Sequence, residues 1–220
     1  KAAGFVLAAE LRACGIDLSF TPVLDLDYGS SDIIGNRAFH RDPAAVTALA
    51  GALNAGLRRA GMANVGKHFP GHGFVAADSH VAIPVDSRPV QELYPDLAPY
   101  RAHLRMDLAA VMPAHVIYPK VDSKPAGFSA KWIQQILRQR LGYEGVVFSD
   151  DLTMEGASVA GDILDRANAA LTAGCDMVLV CNRPDLADDL LVRLKSEHGS
   201  ESKVRIARLM PRDKAMPWEA

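Results

Sequence analysis

The stretch KHFPGHGFVAADSH, residues 67–80, decides the fold that we predict for this chain. It holds one lysine, three histidines and one aspartate within fourteen residues, and one proline and two glycines interrupt it. A short apolar stretch precedes it, so the segment predicts a strand that ends in a polar loop broken by glycine. α/β enzymes place catalytic groups at such strand ends. A solvent-facing polar loop is the alternative, but it needs neither Pro-Gly geometry nor an aspartate two residues before a histidine.

Five apolar segments alternate with longer amphipathic segments, which is the pattern of repeated βα units around a parallel sheet. The predicted strands span residues 16–24, 62–67, 108–113, 145–149 and 177–181. Charged or polar residues end or follow most of these strands, and they are Asp25, Asp27, Lys67, His68, His115, Asp150, Asp151 and Asn182. Chance would place such residues at both strand ends. The bias therefore predicts an α/β fold, either a barrel or a doubly wound sheet, with its site at the carboxyl ends of the strands.

Helices are predicted between the strands at residues 1–13, 43–60, 129–141 and 184–195. The second of these has Pro43 at its start and Gly61 beyond its end, as helix termini favour. The third has Ser129 as its N-cap. Two prolines interrupt the helical pattern of residues 89–106, so that segment is ambiguous. The last twenty residues are consistent with a closing helix and a tail.

Length and composition bound the class of protein. A chain of 220 residues, 49% of them hydrophobic, can bury a core, and its length favours one domain, residues 1–220. A net charge of −2, without a basic cluster, argues against a nucleic-acid partner. Three cysteines, an odd number in apolar runs, indicate buried, reduced thiols and a cytoplasmic location. No apolar run approaches the ~18 residues of a membrane span, and no signal peptide is recognisable, so we expect no membrane partner.

Five βα units are too few to close an eight-stranded barrel. The first predicted helix begins at Lys1 without an initiating methionine. We therefore expect either an open sheet or a barrel domain that is incomplete at its N-terminus.

Four residues at or near strand ends are the first catalytic candidates. Asp150 and Asp151 end an apolar strand, where an aspartate often only caps the next helix. Because neighbouring side chains of a strand point to opposite sides, one can cap while the other faces a pocket. Asp78 and His80 are close enough in sequence to pair, so that Asp78 would fix the tautomer of His80 and raise the proton affinity of its other nitrogen. A local hydrogen bond within the loop is the alternative for that pair.

Arg37 lies in a loop that is longer than usual, and its guanidinium could bind hydroxyls or a carboxylate there, although such an arginine is often a surface group. Four histidines near aspartates could bind a metal ion, and they are His68, His72, His80 and His115. Their spacing matches neither an HExxH helix nor paired CxxC motifs. A metal-dependent barrel hydrolase, whose ligands come singly from strand ends, stays open as an alternative.

The motifs KHFPGHG, DSH and SDDL together resemble the bacterial β-N-acetylglucosaminidases of glycoside hydrolase family 3. The segments FTPVLDLD, NRAFHRDP, VMPAHVIYP and AGCDMVLVCN are also similar to that family, and the resemblance extends from about Leu11 to Arg193. It implies a TIM (β/α)8 barrel of which this chain supplies about strands four to eight. It also implies that a substrate-binding aspartate and arginine, which the family has around its third strand, have no counterpart in this chain.

The resemblance implies roles for six residues. Asp150 matches the catalytic nucleophile, His80 the general acid/base and Asp78 its partner. The positions that hold the sugar hydroxyls match Arg37, Lys67 and His68, and no metal or other cofactor is implied. The implied activity is that of a retaining exo-β-N-acetylglucosaminidase, a monomer that removes terminal N-acetylglucosamine from muropeptides in cytoplasmic peptidoglycan recycling. Besides the metal-dependent hydrolase, an inactive sugar-binding module is the competing hypothesis.

Overall fold

The computed structural model describes residues 1–31, 33–76, 83–104, 108–195 and 199–211. Its centre is one parallel sheet in the order β1-β2-β3-β4-β5. The strands are β1 (Leu18–Ser19), β2 (Ala63–Phe69), β3 (Ala110–Pro113), β4 (Val146–Asp151) and β5 (Met177–Leu179). Each predicted strand therefore corresponds to an observed one.

The strand order distinguishes between the two α/β folds that the sequence leaves open. In a doubly wound sheet the order reverses at a switch point, so that helices cover both faces. Here the order follows the chain, with every pair parallel. Because βα crossovers are right-handed, strands added in one direction place their connecting helices on one face of the sheet. Such a sheet buries its other face by curling, and the fold is part of a TIM barrel.

The connecting segments are mostly helical. The longer helices are α1 (Ala2–Ala13), α2 (Pro43–Arg59), α3 (Tyr94–His103), a π-helix (Lys131–Arg140), α4 (Ile163–Ala173), α5 (Pro184–Arg193) and α6 (Ser200–Ala207). Short 3-10 turns span Gly35–Arg37, Val90–Leu93, Ala126–Phe128 and Glu155–Ala160. Within the described ranges, no helix has the length and apolar character that a membrane crossing requires.

Local capping explains the helix boundaries. The side chain of Asp42 accepts a hydrogen bond from the backbone N–H of Ala44 at 3.2 Å and so caps α2, which has a proline in its first turn. The Ser129 hydroxyl accepts the Trp132 backbone N–H at 3.2 Å, as predicted, but the helix that follows makes π-type hydrogen bonds. α4 was not predicted, although Asp162 begins it with a reciprocal capping box.

The predicted burial of the cysteines is confirmed for one residue only. Cys175 is buried, but Cys14 and Cys181 are exposed, so the prediction is wrong for these two. Cys14 lies at the end of α1 and Cys181 lies beyond the end of β5, where the chain leaves the core.

The first strand is shorter than predicted. Regular pairing with β2 covers only Leu18–Ser19, and Val23 adds an isolated bridge to Lys67. The physical reason is Pro22, which has no N–H to donate to a ladder. Its carbonyl still accepts the Lys67 backbone N–H at 3.1 Å, so the chain stays beside β2 up to the polar residues that follow.

The side chains of a strand point alternately to the two faces of the sheet, and each face carries an apolar layer. On β3, Val111 joins the large cluster between the sheet and its helices, whereas Ala110 and Met112 join a second cluster on the opposite face. On β4, Val147 and Phe148 divide in the same way. The second cluster is the inner layer of the curled sheet, and the polar strand ends lie at its carboxyl edge.

Candidate active site

Asp25, which follows the first strand, is the centre of the hydrogen bonding at the end of β2. Its side chain is fully buried and accepts the backbone N–H groups of His68 at 3.2 Å and His72 at 2.8 Å. The ring Nδ1 of His68 lies 2.7 Å from the same carboxylate. Because the acceptor is a carboxylate, Nδ1 bears the proton, and Nε2 is left for a ligand. Asp25 therefore fixes both the loop and the orientation of the histidine ring.

Asp25 is held as an anion despite its burial. Burial by itself would raise the pKa of this carboxyl. The hydrogen bond and charge interaction with His68, together with those of His72, outweigh that effect and hold the pKa below its usual value. A fixed negative charge therefore lies beneath the loop.

The glycines of the loop are required by close approach. A Cβ on Gly73 would lie 1.8 Å from the carbonyl oxygen of Leu26, which is backbone and has no room to move aside. Gly71 has a φ of +152°, and a Cβ there would lie 2.7 Å from that of Asp96. The motif KHFPGHG thus lets the backbone turn directly over the residues that follow β1.

Two cationic side chains, Lys67 and Arg37, lie within electrostatic range of each other. Lys67 is half-buried, and its pKa is lowered first by burial and then by the positive charge of Arg37. The negative charges of Asp150 and Asp25 raise the pKa of Lys67, so both carboxylates lie within electrostatic range of this lysine. Arg37 is exposed at the end of its 3-10 turn, and its guanidinium donates to the carbonyl of Ile33 at 3.2 Å. Lys67 therefore lies within electrostatic range of two other predicted site residues, Arg37 and Asp150.

Asp150 lies in a bulge of β4. The register with β5 shifts between Phe148, opposite Met177, and Asp151, opposite Leu179. Such bulges turn a side chain away from the regular alternation, often beside active sites. Asp150 is partly exposed and accepts the backbone N–H of Asp151 at 2.8 Å.

The surroundings of Asp150 keep it ionised. Burial would raise the pKa of this carboxyl, but the charge interaction with His68, the accepted backbone hydrogen bond and the charge of Lys67 hold the pKa below its usual value. An ionised carboxylate at a strand end, facing cationic groups, is what a nucleophile requires at neutral pH.

The hydrogen-bond partners of Asp151 differ from those of Asp150. Its carboxylate accepts the Thr153 backbone N–H at 2.9 Å, the Thr153 hydroxyl at 2.7 Å and the Cys181 backbone N–H at 3.0 Å. Asp151 does not cap a following helix, which was the alternative that the sequence suggested. Asp151 instead closes the turn after β4 and ties that turn to the end of β5.

A buried ion cluster, which the sequence analysis did not identify, surrounds Arg88. Its guanidinium pairs with Asp86 at 2.7 Å and with Asp96 at 3.1 Å. It also lies over the ring of Phe74 at 4.1 Å from the centroid, and Tyr28 donates to Asp96 at 3.0 Å. Phe74 precedes the undescribed residues 77–82 and Arg88 follows them, so the described chain on the two sides of that segment meets at this cluster.

The motif and strand-end features match a known family along most of the chain. A model of the glycosyl hydrolase family 3 N-terminal domain matches residues 1–210. The chain belongs to glycosyl hydrolase family 3. It is 70% identical over 218 residues to a beta-hexosaminidase of Bordetella parapertussis, an alignment that covers 99% of this chain and 62% of that relative. The chain thus spans about 62% of the length of these curated relatives.

Solved structures of family 3 proteins share the fold. The crystal structure of NagZ from Neisseria gonorrhoeae in complex with N-trifluoroacetyl-D-glucosamine has a TM-score of 0.89 at 54% identity, covering 100% of this chain and 62% of that chain. A structure of that protein in complex with zinc ion has a TM-score of 0.86 at 55% identity, covering 95% of this chain and 60% of that chain. The predicted family and the predicted barrel are confirmed.

The family 3 residues named in the sequence analysis fall into two groups. Electrostatic interactions through Lys67 and Asp150 link four of them, and they are Arg37, Lys67, His68 and Asp150. Asp78 and His80 lie outside the described residues, so their roles stay predictions. No cluster of three or more histidine, cysteine, aspartate or glutamate side chains able to hold a metal ion occurs in the described part of the chain.

Asp25 contacts His68, and His115 contacts the Asp151 backbone beside Asp150. The sequence indicated only their places near strand ends and, for His115, a candidate metal ligand. The place near a strand end was the only feature of the sequence that put these two residues close to the site. A buried hydrogen-bond partner cannot be read from sequence spacing, because it depends on which strands become neighbours.

Proposed function

We propose that the protein is a retaining β-N-acetylglucosaminidase that removes terminal N-acetylglucosamine residues. The observation that supports this most is the ionised Asp150, held in a bulge at the carboxyl edge of the sheet and facing His68 and Lys67. The similarity to proteins named beta-hexosaminidase and to a NagZ structure bound to a glucosamine derivative supports the choice of sugar.

In the first step, Asp150 attacks the anomeric carbon while protonated His80 donates its proton to the departing glycosidic oxygen. The bond to the leaving sugar breaks, and a glycosyl-Asp150 ester forms. In the second step, neutral His80 takes a proton from water, the water oxygen attacks the anomeric carbon, and Asp150 leaves as a carboxylate. The roles of His80 and of Asp78 as its support rest on the family motif. Retaining enzymes usually use two carboxyl groups about 5 to 5.5 Å apart, a spacing rule that does not apply to a histidine acid/base.

The remaining site residues bind the sugar in this proposal. Lys67 and Arg37 offer N–H donors to hydroxyl groups, and His68 offers the Nε2 atom that Asp25 leaves available. Because Lys67 and Arg37 repel each other, an oxygen-rich ligand between them would relieve that repulsion. The positions of these donors favour a polar sugar over an apolar ligand.

We also propose a specific biological role for this activity. We propose that the natural substrates are muropeptides, that the enzyme acts in peptidoglycan recycling in the cytoplasm, and that it works as a monomer with no cofactor. These proposals rest on the similarity to family 3 proteins. A carbohydrate partner also agrees with the net charge of −2, which gives no attraction to nucleic acid.

A metal-dependent hydrolase is the second candidate, and the zinc-bound NagZ structure is the observation that favours it. Turnover of p-nitrophenyl N-acetyl-β-glucosaminide by the full-length protein, with and without a chelator, separates the candidates. The glycosyl-Asp150 proposal predicts equal turnover in both conditions and a covalent adduct at Asp150 with a slowly hydrolysed fluorosugar. Activity lost on chelation and restored by zinc would instead support the metal enzyme. Binding of N-acetylglucosamine without any turnover would indicate the sugar-binding module.

A further inference from the structure

His115, at the end of β3, is a buried histidine that the proposed mechanism does not use. The residue is completely buried. Its ring packs against Phe128, with the ring centroids 5.2 Å apart. Its Nε2 atom lies 3.1 Å from the backbone carbonyl oxygen of Asp151, directly after the proposed nucleophile.

The contacts of His115 fix its protonation state. A carbonyl oxygen only accepts hydrogen bonds, so Nε2 bears the proton and Nδ1 is the bare nitrogen. No polar atom of the described residues pairs with Nδ1. Gly127 lies close to this atom, since a Cβ placed on Gly127 would lie 3.6 Å from Nδ1. A proton on Nδ1 would therefore be buried without a partner. Burial lowers the pKa of His115, in agreement with a neutral ring, although Asp150 and Asp151 face it and act in the opposite direction.

The end of β4 needs support because its pairing is irregular there. On the β3 side, the regular register includes Ala110 with Val146 and Val111 with Val147, before the bulge begins. On the β5 side, the register shifts across the bulge itself. Asp150 is thus attached to a strand end where the ordinary ladder does not set its direction.

Side chains hold this strand end on both sides. On the β5 side, the Ser149 hydroxyl accepts the Leu179 backbone N–H at 3.0 Å, and Asp151 accepts the Cys181 backbone N–H at 3.0 Å. On the β3 side, His115 donates to the Asp151 carbonyl. The bulge is therefore fixed between its two neighbours by hydrogen bonds that the sheet ladder does not supply.

From this geometry we infer that His115 is a positioning residue for Asp150. Its neutral ring holds the bulge of β4 so that the Asp150 carboxylate stays directed at the anomeric carbon. His115 does not touch the substrate and transfers no proton. This inference rests on the proposed function, since it assumes that Asp150 is the nucleophile.

The test compares two buried histidines with the same type of hydrogen bond. His103 on α3 places Nε2 2.9 Å from the Thr47 carbonyl oxygen, so His103→Phe removes the same kind of bond away from Asp150. His115→Phe and His103→Phe are made in the full-length protein, together with His115→Gln, whose amide N–H can reach the position of Nε2. The measurements are kcat and KM with p-nitrophenyl N-acetyl-β-glucosaminide, and the rate at which a slowly hydrolysed fluorosugar labels Asp150.

We expect His115→Phe to lower kcat and the labelling rate by about 10²-fold while KM stays near the wild-type value. The reason is that the variant changes the direction of the Asp150 carboxylate and not the binding of the substrate. His115→Gln should recover most of that loss, and His103→Phe should keep wild-type kcat even if its melting temperature falls. Wild-type kcat in His115→Phe, or an equal loss in His103→Phe, would overturn the inference. So would a folded His115→Gln that is as slow as His115→Phe.

If His115→Phe does not fold, Ser149→Ala tests the other side of the bulge. That variant removes the acceptor of the Leu179 N–H, and we expect it to lower kcat with little change in KM. Wild-type kcat in Ser149→Ala would show that the bulge needs no such support. An inactive wild-type protein would contradict the proposed function itself, whereas an active wild type with unaffected variants would contradict only the role of His115.

Discussion

Two buried carboxylates in neighbouring regions of the molecule have opposite pKa shifts. Asp25, beneath the loop after β2, is 0% exposed and has a lowered pKa. Asp96, in the Arg88 cluster, is 1% exposed, and burial raises its pKa to about 6. Their burial is nearly equal, so burial alone cannot explain the difference.

The donors around each carboxylate explain it. Asp25 receives two backbone N–H groups and an imidazole, all aimed at its two oxygens. Asp96 shares one guanidinium with Asp86 and accepts a single hydrogen bond from the Tyr28 hydroxyl, and its Oδ1 has no hydrogen-bond partner among the described residues. Interactions with dedicated donors thus stabilise a buried anion, whereas a shared cation offsets only part of the desolvation. Asp150, with His68, Lys67 and an accepted backbone hydrogen bond, belongs with Asp25.

The largest expected effect concerns Asp150. Asp150→Ala removes the proposed nucleophile, and we expect kcat to fall by about 10⁴-fold or more with the fold intact. Steady-state kinetics with the aryl N-acetylglucosaminide measures this, and circular dichroism checks the fold. A variant that keeps a tenth of the activity would show that the ionised carboxylate of the bulge is not the nucleophile.

Asp25→Asn tests whether the buried anion is needed beneath the site. The amide has one oxygen acceptor in place of two, and its N–H donors face donors of His68 and His72, so we expect kcat/KM to fall by about 10²-fold. We also expect a loss of about 3 kcal/mol in the free energy of unfolding, measured by urea denaturation. Asp27→Asn is the matched control, because Asp27 is exposed two residues away. Equal effects in the two variants would mean that the hydrogen bonds of Asp25 are not what matters.

Asp151→Ala should be milder for activity than Asp150→Ala. It removes three hydrogen bonds of the turn after β4, so we expect a loss of about 2 kcal/mol in stability and no more than about tenfold in kcat. Thermal melting and the same kinetic assay measure the two effects. If folded Asp151→Ala lost more activity than Asp150→Ala, our assignment of the nucleophile would be wrong.

The smallest effect is a pH dependence of stability from Asp96. The pKa of Asp96 is about 6 in the folded protein, above the ordinary value of 3.8, so the folded state binds the proton more tightly between those values. Its contribution to stability therefore decreases as the pH rises from about 4 to about 6. Urea denaturation should show this decrease in wild type and in Asp188→Asn, an exposed control on α5, but less of it in Asp96→Asn. Parallel profiles for all three proteins would contradict the raised pKa.

Much of the architecture follows from local sequence signals. Alternating apolar segments predicted all five strands, and Pro43 with Gly61 predicted the extent of α2. These signals are readable because capping and strand burial depend on residues close together in the chain. The first strand was predicted too long because the effect of Pro22 depends on its pairing with β2.

The sequence by itself determined the family, through motifs such as KHFPGHG, and the strand ends at which Lys67, His68 and Asp150 lie. The tertiary structure decided between a barrel and a doubly wound sheet, since strand order is a property of pairing and not of spacing. It also decided which polar groups become neighbours: Asp25 beneath His68, His115 against the end of β4, and Arg88 between two aspartates. Hydrogen bonds and charge interactions depend on distances in space, and residues more than thirty positions apart in the chain become neighbours only when the sheet forms.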